Sequence, residues 1–85
     1  MVLRVGHEPD RAKRIRQRQG NTIRQVRQMR GMSIAEFADN VGVSPGAVSH
    51  WETGKITPRQ HHQVRIAQVL DTPWGVLFSL DGEVG

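Results

Sequence analysis

The chain has 85 residues, with 12 basic and 8 acidic side chains and a formal net charge of +4. This length allows one small domain, and the lack of cysteine excludes disulfides and thiolate metal sites. No apolar run is long enough to span a bilayer and no signal-peptide pattern is present, so we expect a cytoplasmic protein. We also expect neither enzyme activity nor a cofactor, because the sequence contains no glycine-rich phosphate loop, nucleophile–base arrangement or paired carboxylates.

The positive charge is concentrated at the N-terminal end. The first thirty residues carry nine basic and two acidic side chains, whereas the remainder carries three basic and six acidic ones. Residues 10–19 offer only Ala12 and Ile15 to a core, so residues 1–20 are predicted to form a basic arm, flexible or helical, that ends in a break at Gly20–Asn21. The arm is either a solvated extension or a phosphate-binding segment. In the second case its phosphate contacts are Arg11, Lys13, Arg14, Arg16 and Arg18.

A short amphipathic helix is predicted from Ser33 to Val41. Ser33 and Glu36 have the spacing of a capping box, in which each residue's side chain accepts a hydrogen bond from the other's backbone N–H. Gly42 follows directly, where a chain leaving a helix often needs a positive φ. The apolar side chains fall at the i, i+3, i+4, i+7 spacing of one helix face: Ile34, Phe37, Ala38 and Val41.

A second short helix is predicted from Pro45 to Thr53. Ser44 can cap it, and proline is favoured at a first helical position. One face carries Val48, Trp51 and Glu52, while the opposite face is small and polar. Two short helices joined by a glycine turn form a helix-turn-helix, and a small polar outer face suits the base edges of a DNA major groove.

These segments resemble the phage repressor and Cro type of helix-turn-helix domain, also called Xre-like. The matching runs are S-I-A-E-F-A-D-N-V-G-V-S, V-S-H-W-E-T-G-K and I-A-Q-V-L, within residues 22–78. The resemblance implies an all-α fold, a five-helix repressor-like bundle at residues 21–80, preceded by the basic arm and followed by a C-terminal tail at residues 81–85. The implied helices are Thr22 to Arg30, Ser33 to Val41, Pro45 to Thr53, Pro58 to Leu70 and Pro73 to Ser79, of which the third reads DNA.

The resemblance also implies a set of DNA contacts. The residues expected to face bases are Ser44, Gly46, Ala47, Ser49 and His50. Those expected to face phosphates are Lys55, Thr57 and Arg59, together with backbone N–H groups at helix starts. The sequence departs from the family at Ile34, where a glutamine often anchors the second helix to a phosphate, so Ile34 is assigned either to the core edge or to a thymine methyl contact.

Arg27 and Glu52 match two positions that form an ion pair in the family. If they pair here, the reading helix is oriented relative to the first helix. The alternative is two independent surface charges. His61 and His62 are adjacent and would point about 100° apart on a helix, so we expect no metal site.

Fourteen of the apolar residues are expected to form one core. Its predicted members are Ile23, Val26, Phe37, Ala38, Val41, Val43, Val48, Trp51, Val64, Ala67, Leu70, Trp74, Leu77 and Phe78. For Trp74 and Phe78 an alternative is partial exposure in a dimer contact.

The sequence therefore predicts a DNA-binding transcriptional regulator. The expected form is a Cro-like repressor that binds a palindromic operator on double-stranded DNA as a homodimer, in a bacterial cell or phage-infected host. One alternative is the antitoxin of a toxin–antitoxin pair, which represses its own promoter and binds a toxin as its protein partner. Another is an assembly protein that has kept the fold but no longer reads DNA.

Overall fold

The computed structural model describes residues 7–79, with side chains from residue 10 onwards. This part of the chain is all-helical and confirms the five-helix prediction. None of its helices is long and apolar enough to cross a membrane. The predicted tail at residues 81–85 lies outside the described residues. The helices are α1 (His7–Met29), α2 (Ile34–Val41), α3 (Pro45–Glu52), α4 (Gln60–Leu70) and α5 (Trp74–Phe78).

The first helix differs most from the prediction. The expected break at Gly20–Asn21 is wrong, because α1 runs unbroken for 23 residues, so the described part of the arm is helical. Gly20 is buried against the C-terminal end of α3, and a Cβ at this position would lie 2.3 Å from the carbonyl oxygen of Trp51. The glycine therefore permits a close helix crossing and does not interrupt the helix.

The local signals around α2 and α3 are confirmed. The Ser33 hydroxyl accepts from the Glu36 backbone N–H at 3.0 Å, and the Ser33 backbone N–H donates to the Glu36 carboxylate at 2.9 Å. Gly42 has φ +93° and its N–H donates to the Ala38 carbonyl at 2.8 Å. The Ser44 hydroxyl caps α3 by accepting from Ala47 N–H at 3.2 Å. These caps fix the turn between α2 and α3.

The core lies where α1, α2 and α3 pack together with α4 and α5. Ile66 is fully buried although it was not predicted, whereas Val64 is 48% and Trp74 is 46% exposed, so their assignment to the core is wrong. Val64 lies two residues from Ile66, about 200° around the helix, and both cannot face inward. The buried apolar residues are Ile23, Phe37, Ala38, Val41, Val48, Trp51, Ile66, Leu70, Leu77 and Phe78.

Arginine side chains bind carbonyls at the C-terminal ends of α2 and α4. Arg30 donates from Nε to the Leu70 carbonyl at the end of α4 at 2.8 Å, and Arg65 donates from Nε to the carbonyl of Asn40 in α2 at 3.1 Å. Arg16 donates to a carbonyl two residues beyond the end of α3. The last carbonyls of a helix have no partner within it and carry partial negative charge, which a guanidinium satisfies. Part of the basic character of the chain therefore serves the fold.

Candidate nucleic-acid interface

Helix α3 presents the face that the sequence assigned to bases. It buries Val48, Trp51 and Glu52 against the rest of the domain. The opposite side is open: Ser44, Gly46, Ser49 and His50 are exposed and Ala47 is half-buried. The buried side fixes the helix, and among these outer residues only His50 has a large side chain.

Most of the predicted contact residues share one surface depression beside α3. Its lining combines the start and outer face of α3 with the segment that leads into α4. Ser49 and Lys55 are exposed but lie outside this lining. The predicted residues that line it are Ser44, Gly46, Ala47, His50, Thr57 and Arg59. The residues assigned to bases and those assigned to phosphates are thus adjacent on one side of the domain.

Of the four other lining residues, Val43 and Trp51 were assigned to the core, whereas Ile56 and His62 were missed from the sequence. Ile56 is 50% exposed. His62 lies in the first turn of α4, with its ring centroid 5.5 Å from that of Trp51 and 4.1 Å from that of His61. Burial lowers the pKa of His62, and electrostatic repulsion from His61 and Arg59 lowers it further. No sequence motif in the first turn of α4 relates His62 to α3, so this contact could not have been identified from the sequence.

The predicted pair of Arg27 and Glu52 is present and buried, with the two residues 7% and 6% exposed. Arg27 donates from Nε to Oε2 at 2.7 Å and from Nη2 to Oε1 at 3.1 Å, a two-bond arrangement that restricts both side chains. Its Nη1 donates to the Met32 carbonyl at 2.8 Å. The pair joins α1 to the last residue of α3, so it sets the angle of α3 relative to α1.

Ile34 packs, half-buried, at the edge of the core, which matches the first of its two predicted roles. Of the arm residues, Arg16 is half-buried and its Nε donates to the Gly54 carbonyl at 3.0 Å. The other four assigned to phosphates are exposed along α1: Arg11, Lys13, Arg14 and Arg18. Among the described residues, no group of three His, Cys, Asp or Glu side chains could hold a metal ion.

This arrangement of caps, turn and outward-facing helix is that of a helix-turn-helix protein. The HTH_3 family model, described as helix-turn-helix, matches residues 23–77, and the chain belongs to that family. It is a DNA-binding transcriptional regulator, and its partner is double-stranded DNA.

Two solved structures of the clp gene regulator ClgR from Corynebacterium glutamicum are similar to the chain. The alignment with the first has a TM-score of 0.72 and 26% sequence identity, and it covers 81% of this chain and 74% of the ClgR chain. The alignment with the second has a TM-score of 0.71 and 25% sequence identity, and it covers 84% of this chain and 94% of the ClgR chain. No curated protein sequence matches the chain.

Proposed function

We propose that the protein is a transcriptional repressor that binds a palindromic operator as a homodimer, with α3 in the major groove. The observation that carries this proposal is the depression beside α3, where small and polar residues of the helix adjoin cationic and hydroxyl side chains of the following segment. ClgR, with the same fold, is described as a gene regulator, which supports a regulatory role here.

In this proposal the contacts divide by chemistry. Ser44, Gly46, Ala47, Ser49 and His50 face bases. Lys55, Thr57 and Arg59 face phosphates. The start of α4 adds donors, because its N-cap residue Arg59 makes no side-chain cap bond and the first N–H groups of a helix have no partner within it. Backbone N–H groups in that position bind phosphate oxygens well.

His50 tests the direct-readout part of the proposal. Its exposed imidazole can donate to an acceptor on a guanine edge, so His50→Ala should weaken specific binding by roughly 1–3 kcal/mol and leave nonspecific binding nearly unchanged. Sites are first selected from random duplex DNA, and affinities for selected and random duplexes are then measured. Gln28→Ala, an exposed change on α1, is the control. An equal loss on both duplexes would place His50 on the backbone and not on a base.

The purified protein and the selected sites also distinguish the proposed repressor from the antitoxin and from the assembly protein. For a repressor that binds as a homodimer, the selected sites should share a two-fold symmetric consensus sequence. Copurification with a stoichiometric protein partner would indicate an antitoxin, and failure to bind any duplex at low salt would indicate an assembly protein.

The remaining proposed phosphate contacts are exposed side chains in the N-terminal half of α1, namely Arg11, Lys13, Arg14 and Arg18. Support comes from the groove that Arg16 and Thr57 line together, since it places α1 beside the segment assigned to phosphates. A Lys13→Gln, Arg14→Gln double variant keeps the helix and removes two charges. If both side chains bind DNA, the slope of log affinity against log salt becomes shallower by about 0.9 for each phosphate that the variant no longer neutralises. An unchanged slope would leave these two residues as solvated charges.

We place the dimer contact on the apolar surface formed by α4 and α5. Val64 and Trp74 are 48% and 46% exposed and line one groove together with Ala67 and Pro73. An exposed apolar surface of this kind is suited to a protein–protein contact. Val64→Asp should convert a dimer into a monomer in sedimentation equilibrium. Met29→Asp, at an exposed apolar residue of α1, should leave the mass unchanged. A dimer that survives Val64→Asp would place the contact elsewhere.

A further inference from the structure

The N-terminal half of α1 runs directly along the chain that leaves α3. Gly54 is buried with φ +78°, and a Cβ on it would lie 2.6 Å from Cγ and 2.8 Å from Cα of Gln17. One turn later on α1, a Cβ on Gly20 would lie 2.3 Å from the Trp51 carbonyl oxygen and 2.6 Å from that of Glu52. Backbone therefore meets backbone at two successive places, and both contacts depend on glycine.

Arg16 adds a side-chain hydrogen bond to this contact between α1 and the chain that follows α3. Its half-buried side chain donates from Nε to the Gly54 carbonyl at 3.0 Å. The residues that follow Gly54 fold back over the end of α3, since the N–H groups of Lys55 and Ile56 both donate to the His50 carbonyl, at 2.9 and 3.2 Å. The guanidinium forms a charge-assisted hydrogen bond with this carbonyl, and its positive charge lies near the C-terminal end of α3, which is electrostatically favourable. The bond from Arg16 therefore ties this turn to α1.

We propose that Arg16 is a positioning residue for DNA binding, which holds the Gly54 turn against α1 and so places Lys55 and Thr57 for their phosphates. The role rests on the proposed function, because it acts through those two phosphate-facing residues. It differs from the direct phosphate contact that the sequence assigned to Arg16. Arg16 and Thr57 line the same groove, so a movement of the Arg16 side chain changes the surface of α1 beside Thr57.

The first test uses the free protein and does not depend on DNA. In Arg16→Met the backbone amide resonances of residues 54–57 should shift, and the Lys55 amide should exchange faster with solvent by about fivefold or more, which corresponds to about 1 kcal/mol of local stability. Arg24→Met is the matched control, since Arg24 is an exposed arginine on the same helix; it should leave these signals in place. Identical spectra for the turn in Arg16→Met and wild type would overturn the proposal.

If Arg16→Met does not fold, Arg16→Lys takes its place in the same comparison. Lysine keeps the charge and the aliphatic stem but lacks Nε. The resonances of residues 54–57 shift if the Nε bond holds the turn. They stay in place, against the proposal, if only charge at this position matters.

The second test is a double-mutant cycle with a short random-sequence duplex at low salt. Arg16→Met alone should weaken binding by about fivefold or more, but by less than about twofold when Lys55 and Thr57 are both already alanine, because coupled residues deviate from additivity. Equal factors in both backgrounds would mean that Arg16 contacts DNA independently, and would overturn the positioning role. A wild-type protein that does not bind the duplex would refute the proposed function, while the amide measurements would still decide whether Arg16 holds the turn.

Discussion

The buried pair of Arg27 and Glu52 makes the sharpest prediction for the stability of this domain. Arg27→Ala leaves the Glu52 carboxylate, only 6% exposed, without the two donors that now satisfy it. It also removes the donor to the Met32 carbonyl. The variant therefore creates an unpaired charge in a place that water reaches poorly, which is a much larger perturbation than loss of a surface ion pair.

The size of the effect follows from that burial. Removal of one partner of a buried pair destabilises a protein by about 3–5 kcal/mol. In a domain of this size each kcal/mol lowers the melting temperature by roughly 4–8 °C. We therefore expect Arg27→Ala to melt at least about 12 °C below wild type, and to be largely unfolded at physiological temperature if the wild-type domain has the marginal stability usual for small proteins.

Thermal and urea unfolding followed by circular dichroism would measure this loss. The double variant Arg27→Met, Glu52→Leu is the internal control, because it removes both charges and fills their space with apolar groups, a replacement that is often neutral or stabilising. It should recover most of the stability that Arg27→Ala removes. The reasoning is refuted if Arg27→Ala unfolds within about 1 kcal/mol of wild type, the range of an exposed pair.

Three further predictions concern other buried contacts. Phe37→Ala removes a fully buried ring and should lower the free energy of unfolding by about 3–5 kcal/mol, whereas a decrease below about 1 kcal/mol in urea titrations would contradict its central position. Because the pKa of His62 is lowered by burial, the unfolded chain takes up a proton at higher pH than the native one, so the stability due to the neutral ring is present above about pH 6.5 and is lost as the pH falls. His62→Gln should therefore flatten the dependence of stability on pH below that value, and equal slopes in variant and wild type would argue against the shift. Gly20→Ala should destabilise despite a gain in helix propensity of about 1 kcal/mol, since the added Cβ meets the Trp51 carbonyl, while the exposed control Asn21→Ala should not; a more stable Gly20→Ala variant would mean that the two helices separate freely.

The features predicted correctly from sequence are those whose cause lies within a few residues. The capping box at Ser33, the left-handed Gly42 and the cap at Ser44 each involve neighbours no more than four positions away. The two short helices and the turn between them follow from these signals. Their outward face follows in turn from the periodicity of the buried residues.

The errors arise where the cause lies far along the chain. Gly20 has the local appearance of a helix break, yet its conformation is set by the approach of residues more than thirty positions later. In α4 the apolar residues lie on several sides, and the choice of Ile66 over Val64 depends on how that helix is rotated by its packing on α2 and α5. No local sequence pattern in α4 predicts that rotation.

The candidate site was predictable in outline because the family resemblance aligns each residue of the motif with a position in the family. It predicted the Arg27–Glu52 ion pair, which the structure contains. It also assigned the contact residues along α3, which stay predictions. It did not give Arg16 its role or place His62 beside α3, because the α1 extension and the first turn of α4 carry no motif that relates them to the reading helix.

Because α1 is one continuous helix, a probe attached near its start can report how the whole domain is oriented on DNA. A helix of 23 residues is about 34 Å long, and it is joined to the end of α3 by the buried ion pair and by the crossing at Gly20. The exposed Asp10 near its start can be replaced by cysteine, which would be the only thiol in the chain because the natural sequence has none. A spin label there would move with α3 as one rigid body. If the protein binds an operator as the proposed homodimer, the distance between two such labels on one operator would report the angle between the two subunits.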